Sequence, residues 1–154
     1  MERLQSIISH LKKRPSTLDQ IPCSSPSDLF LGIDSSTQSC KVLVINQDGS
    51  PVYEDGVNFQ RDFPEYKTDN GVYKQGLEAT APTMMFVEAL DTVLTKMVKS
   101  GKVDVSKIVC ASASGQQHGT VYWAIGAQAK LNNLSPNKGN LKDQLSGAFS
   151  IPNG

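Results

Sequence analysis

The stretch FLGIDSSTQSCKVLVI at residues 30–45 leaves the chain few ways to fold. Phe30, Leu31 and Ile33 form a short apolar run that stops at Asp34. Val42, Leu43, Val44 and Ile45 form a second run rich in β-branched residues, and the intervening Ser35, Ser36, Thr37, Gln38 and Ser39 include no apolar side chain. Short apolar runs bounded by turn residues read as strands, and two of them around a short polar loop read as a hairpin. The loop is the chemical part. Ser and Thr hydroxyls and the backbone N–H groups of a tight turn donate to phosphate oxygens. A carboxylate at the strand end, Asp34, suits Mg²⁺ held through its waters, and Lys41 offsets phosphate charge. A hydrophilic turn with no ligand has the same composition.

A second stretch, SASGQQHG at residues 112–119, follows Ile108, Val109, Cys110 and Ala111, another buried-strand pattern. Its small residues let backbone approach a ligand closely. Gln116, Gln117 and His118 then offer amide and imidazole groups suited to sugar hydroxyls. Taken alone, it reads better as a glycine-containing loop with an incidental histidine.

Together, GIDSSTQSCK and SASGQQHG resemble the FGGY carbohydrate kinases, most closely their xylulokinase branch, and FQRDFPEYKTDNGVY at residues 59–73 is similar to eukaryotic members. The resemblance implies an α/β, actin-like ATPase (RNase H-like) domain whose mixed sheet opens with an antiparallel β-meander. It implies ATP and Mg²⁺ as cofactors and D-xylulose as the small-molecule partner, with the γ-phosphoryl group passing to the 5-hydroxyl to give D-xylulose 5-phosphate and ADP. Carried over residue by residue, Asp34 resembles the Mg²⁺-linked acid. Ser36, Thr37, Gln38 and Ser39 resemble the phosphate-binding turn, Lys41 its basic end, and Gln117 and His118 the sugar-contacting pair. Cys40 departs from the family pattern, with its thiol expected to point into the core. The resemblance runs from about Asp28 onward and covers only the front of a family member, so the domain is expected to be incomplete. No catalytic residue is expected within these residues. The aspartate that accepts the sugar proton and the adenosine-binding domain are expected downstream, and the chain alone is expected to be an inactive fragment. The alternative is a non-catalytic sugar- or protein-binding module derived from a kinase.

The rest of the chain sets bounds on these readings. Residues 1–27 read as an amphipathic helix, with Leu4, Ile7, Ile8 and Leu11 on one face, followed by a Ser/Pro linker. Residues 28–154 read as the domain. Fifteen basic and fifteen acidic residues cancel, which gives no support for a nucleic-acid partner. No apolar run reaches the length of a membrane span, and the start lacks the apolar core of a signal peptide. Cys23, Cys40 and Cys110 are odd in number and contain no C-x-x-C pair. That argues for reduced thiols in a cytoplasmic protein rather than a disulfide framework or a zinc site, with Cys110 as a buried packing residue.

Further elements follow from pattern. Gln47, Asp48, Gly49 and Ser50 read as a turn. Val52, Tyr53, Val57 and Phe59 suggest a third antiparallel strand interrupted near Gly56. Residues 61–76 read as a solvated loop, in which Arg61 or Asp62 is the candidate for touching substrate. The spacing predicts a helix over residues 80–100, with Thr80 near its N-cap, Pro82 in its first turn and Gly101 stopping it. Phe86, Val87, Leu90, Val93, Leu94 and Met97 give its apolar face. A strand at residues 109–113 is expected beside the first hairpin strand. Thr120, Val121, Tyr122 and Trp123 suggest a short strand with Trp123 as a packing residue, and residues 141–149 suggest a helix.

Overall fold

The apolar runs in the first half of the chain become a meander in the computed structural model, which describes residues 25–154. The helix and most of the linker expected before Asp28 lie outside the described residues. Strands β1 (Leu29–Ser35), β2 (Ser39–Asn46) and β3 (Pro51–Asn58) pair antiparallel in sequence. Leu29, Leu31, Cys40, Val42, Val44, Tyr53 and Val57 are buried on one face. Phe30, Gly32, Asp34, Lys41, Leu43 and Glu54 occupy the alternate positions, because successive side chains of a strand point to opposite faces. The β2–β3 turn forms as expected, with Gly49 at a φ of 87°.

After β3 come the short helix α1 (Phe59–Asp62), a 3-10 turn (Pro64–Tyr66), and a small hairpin of β4 (Tyr73–Gln75) and β5 (Glu78–Thr80). The long helix α2 (Thr83–Lys99) then crosses the buried face of the sheet. Strand β6 (Ile108–Gly115) pairs parallel with β1, which gives the sheet order β3-β2-β1-β6. Two short helices, α3 (Ala127–Asn132) and α4 (Leu141–Gln144), complete the chain. A parallel neighbour needs a crossover, and α2 supplies it. The mixed sheet with its opening meander matches the expected fold class.

The core lies between α2 and the sheet. Phe59, Met85, Met97, Ile108, Val42, Val44, Val93 and Cys40 are its largest fully buried side chains. Burying a Val- to Phe-sized side chain contributes roughly 1.5–3 kcal/mol, so this layer holds the sheet to its helix. A smaller cluster joins Ala127, Leu145 and Ala148 to Met84 and Val87 on another side of α2.

Several expectations are corrected. The third strand is not interrupted at Gly56. Gly56 pairs with Lys41, and a Cβ there would lie 3.0 Å from Lys41 Cγ and 3.1 Å from the Cys40 carbonyl oxygen, so the glycine makes room for the Lys41 stem. Phe59 belongs to α1 rather than to the strand. The long helix begins at Thr83 rather than Thr80, with Pro82 as its N-cap and no side-chain cap. Ala81 and Gly154 exchange backbone hydrogen bonds at 2.8 and 3.0 Å, and the Thr83 N–H donates to Pro152 O at 3.0 Å. Those bonds hold residues 81–83 extended or capped from outside. The buried stripe of α2 runs through Met85, Ala89, Val93 and Met97, with Phe86 and Leu94 packed at its side. Thr120 to Trp123 form no strand. They lie exposed with one bridge, Trp123 to Phe149, because no neighbouring strand offers a ladder. Trp123 does pack, with ring centroids 4.9 Å from Phe149. The last helix stops at Gln144. Cys110 is only half-buried, because the helix layer covers the opposite face of β6.

Candidate functional site

The β1–β2 turn is tighter than the sequence suggests. Ser35 and Cys40 still pair as strand residues, so only Ser36, Thr37 and Gln38 remain between the strands. The Ser36 N–H donates to Ser39 O at 2.9 Å. The Ser36 hydroxyl also reaches Ser39 O at 3.2 Å and Ser39 Oγ at 3.0 Å. Both hydroxyls therefore already hold the turn closed, and each keeps acceptor or donor capacity for a ligand. Cys40, next along β2, points into the core as expected. Burial, and secondarily the charge of Asp34, push its thiol pKa up to about 11.

Asp34 lies at the exposed end of β1, across from Lys41 of β2 and beside Ser114 of β6. The Ser114 hydroxyl donates to Asp34 Oδ1 at 2.8 Å, which joins residues 80 apart in sequence. This bond and the parallel register Ser35↔Gly115 put the end of the β1–β2 hairpin and the start of the SGQQHG loop on one rim of the sheet. An open cleft of about 430 Å³ occupies the face away from α2, lined by Asp34, Lys41, Glu54, Ser112 and Ser114 with Gly32 at its floor. Asp34 and Lys41 form no ion pair among the described residues, so a cation and an anion source both stand exposed in one cleft.

Gln117 and His118 lie beyond Gly115 in an exposed loop. Their side chains make no hydrogen bond among the described residues, while Gln116 Nε2 closes the loop by donating to His118 O at 2.7 Å. The structure thus gathers Asp34, Lys41 and the turn, while Gln117 and His118 follow β6 with no hydrogen bond to the hairpin among the described residues. Arg61 and Asp62 pair with each other at 2.8 Å rather than reaching the cleft. The Arg61 guanidinium is the main cause that holds the Asp62 carboxyl down at about 2.

Two participants escaped the sequence reading. Ser114 was legible only as a small residue before the loop. Gly71 was hidden in an irregular stretch. It is buried at a φ of 88°, and a Cβ there would overlap the Thr37 carbonyl oxygen and lie 3.1 Å from Phe59 Cδ2. The Phe59 N–H donates to Gln38 O at 2.9 Å. The underside of the turn is therefore braced at two successive carbonyls. The Asn-Gly pair at residues 70–71 was the available signal, since it marks a tight turn with positive φ.

Among the described residues no group of three or more His, Cys, Asp or Glu side chains is placed to hold a metal. Asp34 is an exposed carboxylate with one oxygen held by Ser114 and the other without a hydrogen bond among the described residues. That donor set fits Mg²⁺, which keeps several waters and takes one or two carboxylates together with phosphate oxygens. No helix of the described residues is long and apolar enough to cross a membrane.

The chain is similar in sequence to curated xylulose kinases. Xylulose kinase 2 of Arabidopsis thaliana is 43% identical over 129 residues, 82% of this chain and 23% of the relative. The mouse xylulose kinase is 46% identical over 123 residues, 79% of this chain and 22% of the relative. That of Saccharomyces cerevisiae is 43% identical over 122 residues, 79% of this chain and 20% of the relative. The chain spans about a fifth of the length of these curated relatives. A solved xyloylose kinase from Brucella ovis superposes with a TM-score of 0.51 at 22% identity, over 63% of this chain and 18% of that one, a likeness of fold. No family model matches the chain.

Proposed function

We propose that this chain, similar to curated xylulose kinases, belongs to the FGGY carbohydrate kinases and serves as the phosphate- and sugar-holding part of a xylulokinase, which transfers the γ-phosphoryl group of ATP to the 5-hydroxyl of D-xylulose. The Asp34–Ser114 hydrogen bond of 2.8 Å carries this reading, because it ties the anion-binding hairpin to the loop bearing Gln117 and His118. The turn residues Ser36, Thr37, Gln38 and Ser39 cradle phosphate oxygens with hydroxyl and N–H donors, and Lys41 compensates their charge. Asp34 would hold Mg²⁺, which would supply further charge compensation. Gln117 and His118 hydrogen-bond the hydroxyls of the ketose.

Such a site works by positioning and charge stabilisation, which is most of what phosphoryl transfer requires of a protein. The residue that accepts the sugar's hydroxyl proton and the adenine site are assigned to the part of a xylulokinase that this chain does not span. The cytoplasm is the assigned compartment, in keeping with the free thiols of Cys40 and Cys110. A coupled assay of ADP release, run on the whole protein with D-xylulose and MgATP, tests the assignment. Ketose-dependent turnover is expected. ADP release that is indifferent to the ketose, or absent, would contradict it.

A further inference from the structure

The segment at residues 59–72 does more than connect strands, because it meets the phosphate turn at two successive carbonyls. Asp69 and Val72 exchange backbone hydrogen bonds at 2.9 and 3.1 Å around Asn70 and Gly71, whose φ values are 51° and 88°. These are the features of a type I′ turn, for which Asn-Gly is the favoured pair. The tip of this turn presses against the carbonyl of Thr37. It is held from behind, since the Asn70 N–H donates to Gln60 Oε1 at 3.2 Å. Beside it the Phe59 N–H holds Gln38 O, and the Phe59 ring stands edge-on to Phe86 of α2 with centroids 5.2 Å apart. The turn is thereby referred to the rigid helix–sheet core.

A trans peptide is planar, and its C=O and N–H point in opposite directions. With the Thr37 carbonyl against Gly71, the N–H of Gln38 is directed to the far side, away from the brace. It takes no acceptor among the described residues. The geometry points to Gly71 as a positioning residue for nucleotide binding: its missing Cβ lets the Asn-Gly turn seat the Thr37–Gln38 peptide so that the Gln38 N–H donates to a phosphate oxygen. This rests on the phosphate-binding reading of the hairpin given above. A methyl group at residue 71 has no space without moving Thr37, so the donor swings with it.

The test is a titration of the ¹⁵N-labelled protein with MgATP, following the Gln38 amide, for the wild type, Gly71→Ala and Gly49→Ala. Gly49 has nearly the same φ, 87°, but a Cβ added there would meet nothing within 4 Å, so its variant carries the backbone cost without the contact. The wild type is expected to show a saturable shift of the Gln38 amide. Gly71→Ala is expected to weaken MgATP binding about tenfold or more, as for loss of one hydrogen bond to a charged group. Gly49→Ala should lose stability yet bind as the wild type does, and D-xylulose binding should be unchanged in both variants. If Gly71→Ala does not fold, Gln60→Ala decides the matter. It removes only the exposed support of Asn70, and a severalfold weaker MgATP affinity with unchanged D-xylulose affinity is expected. Wild-type-like MgATP affinity in the folded Gly71→Ala protein, or in Gln60→Ala where that variant decides, overturns the positioning role. Equal weakening in Gly49→Ala does so too. A wild-type protein whose Gln38 amide ignores MgATP overturns instead the phosphate-binding reading beneath it.

Discussion

Phe59→Ala should be among the most damaging single substitutions in this chain. The side chain is fully buried, stands edge-on to Phe86 at 5.2 Å, and touches the underside of the Gly71 turn. Truncating a buried Phe to Ala costs about 3–5 kcal/mol, as lost transfer energy plus the cavity left behind. Within that total the edge-to-face pair accounts for about 0.5–1.5 kcal/mol. The backbone N–H of Phe59 remains, so its bond to Gln38 O survives the substitution and the loss is one of packing. Urea denaturation followed by far-ultraviolet circular dichroism reads the total, and a double-mutant cycle with Phe86→Ala reads the pair. A total loss below about 1 kcal/mol, the range of ordinary surface positions, would show that Phe59 does not anchor this segment to the core.

Other outcomes follow from particular contacts. Burial works against the Glu88 carboxylate, and hydrogen bonds from Lys142 and Tyr66, both 2.7 Å, outweigh it and hold its pKa below the ordinary 4.5. A depressed folded-state pKa contributes stability that is present above the unfolded value and lost as pH falls through the folded one. Glu88→Gln should therefore flatten the decline of stability below about pH 4.5 in acid-titrated melts, and an unchanged decline would count against the ion pair. The Cys40 thiol, buried and pushed up to about 11, should resist iodoacetamide at about pH 8 while half-buried Cys110 reacts, as read by peptide mass spectrometry. Equal labelling of both in the folded protein would contradict the placement of Cys40. Ser114→Ala should leave the melting temperature within a few degrees, because its bond to Asp34 is solvent-exposed. It should nevertheless weaken MgATP binding severalfold by freeing the carboxylate.

The sheet was legible because its signals are local and redundant. Short apolar runs ending at Asp34 and resuming after Lys41 marked β1 and β2, and the apolar run before SGQQHG marked the strand beside β1. Boundaries set by distant partners were not legible. Thr80 looked like a cap, yet the helix starts later because Ala81 and Thr83 bond to residues near position 153. Thr120 to Trp123 carried strand-like residues with no ladder to join. The chemical residues of the hairpin and loop were visible from their types, but their meeting through Ser114 spans the whole α2 crossover. Gly71 shows the same limit. Its local turn was readable from Asn-Gly, whereas the carbonyl it makes room for lies in another hairpin.

The most direct measurement is a steady-state comparison of His118→Ala and Asp34→Ala in the whole protein, with KM determined for D-xylulose and for MgATP alongside the melting temperature. A site built to hydrogen-bond a hydroxyl is left with an unpaired group when one partner is removed. His118→Ala should therefore raise KM for the ketose roughly tenfold, corresponding to about 1.4 kcal/mol, with little change for MgATP. Asp34→Ala should lower kcat through the metal–phosphate arrangement and leave ketose affinity nearly intact. Equal KM changes for both substrates in His118→Ala, with a large drop in melting temperature, would make that residue structural and remove the sugar from this rim.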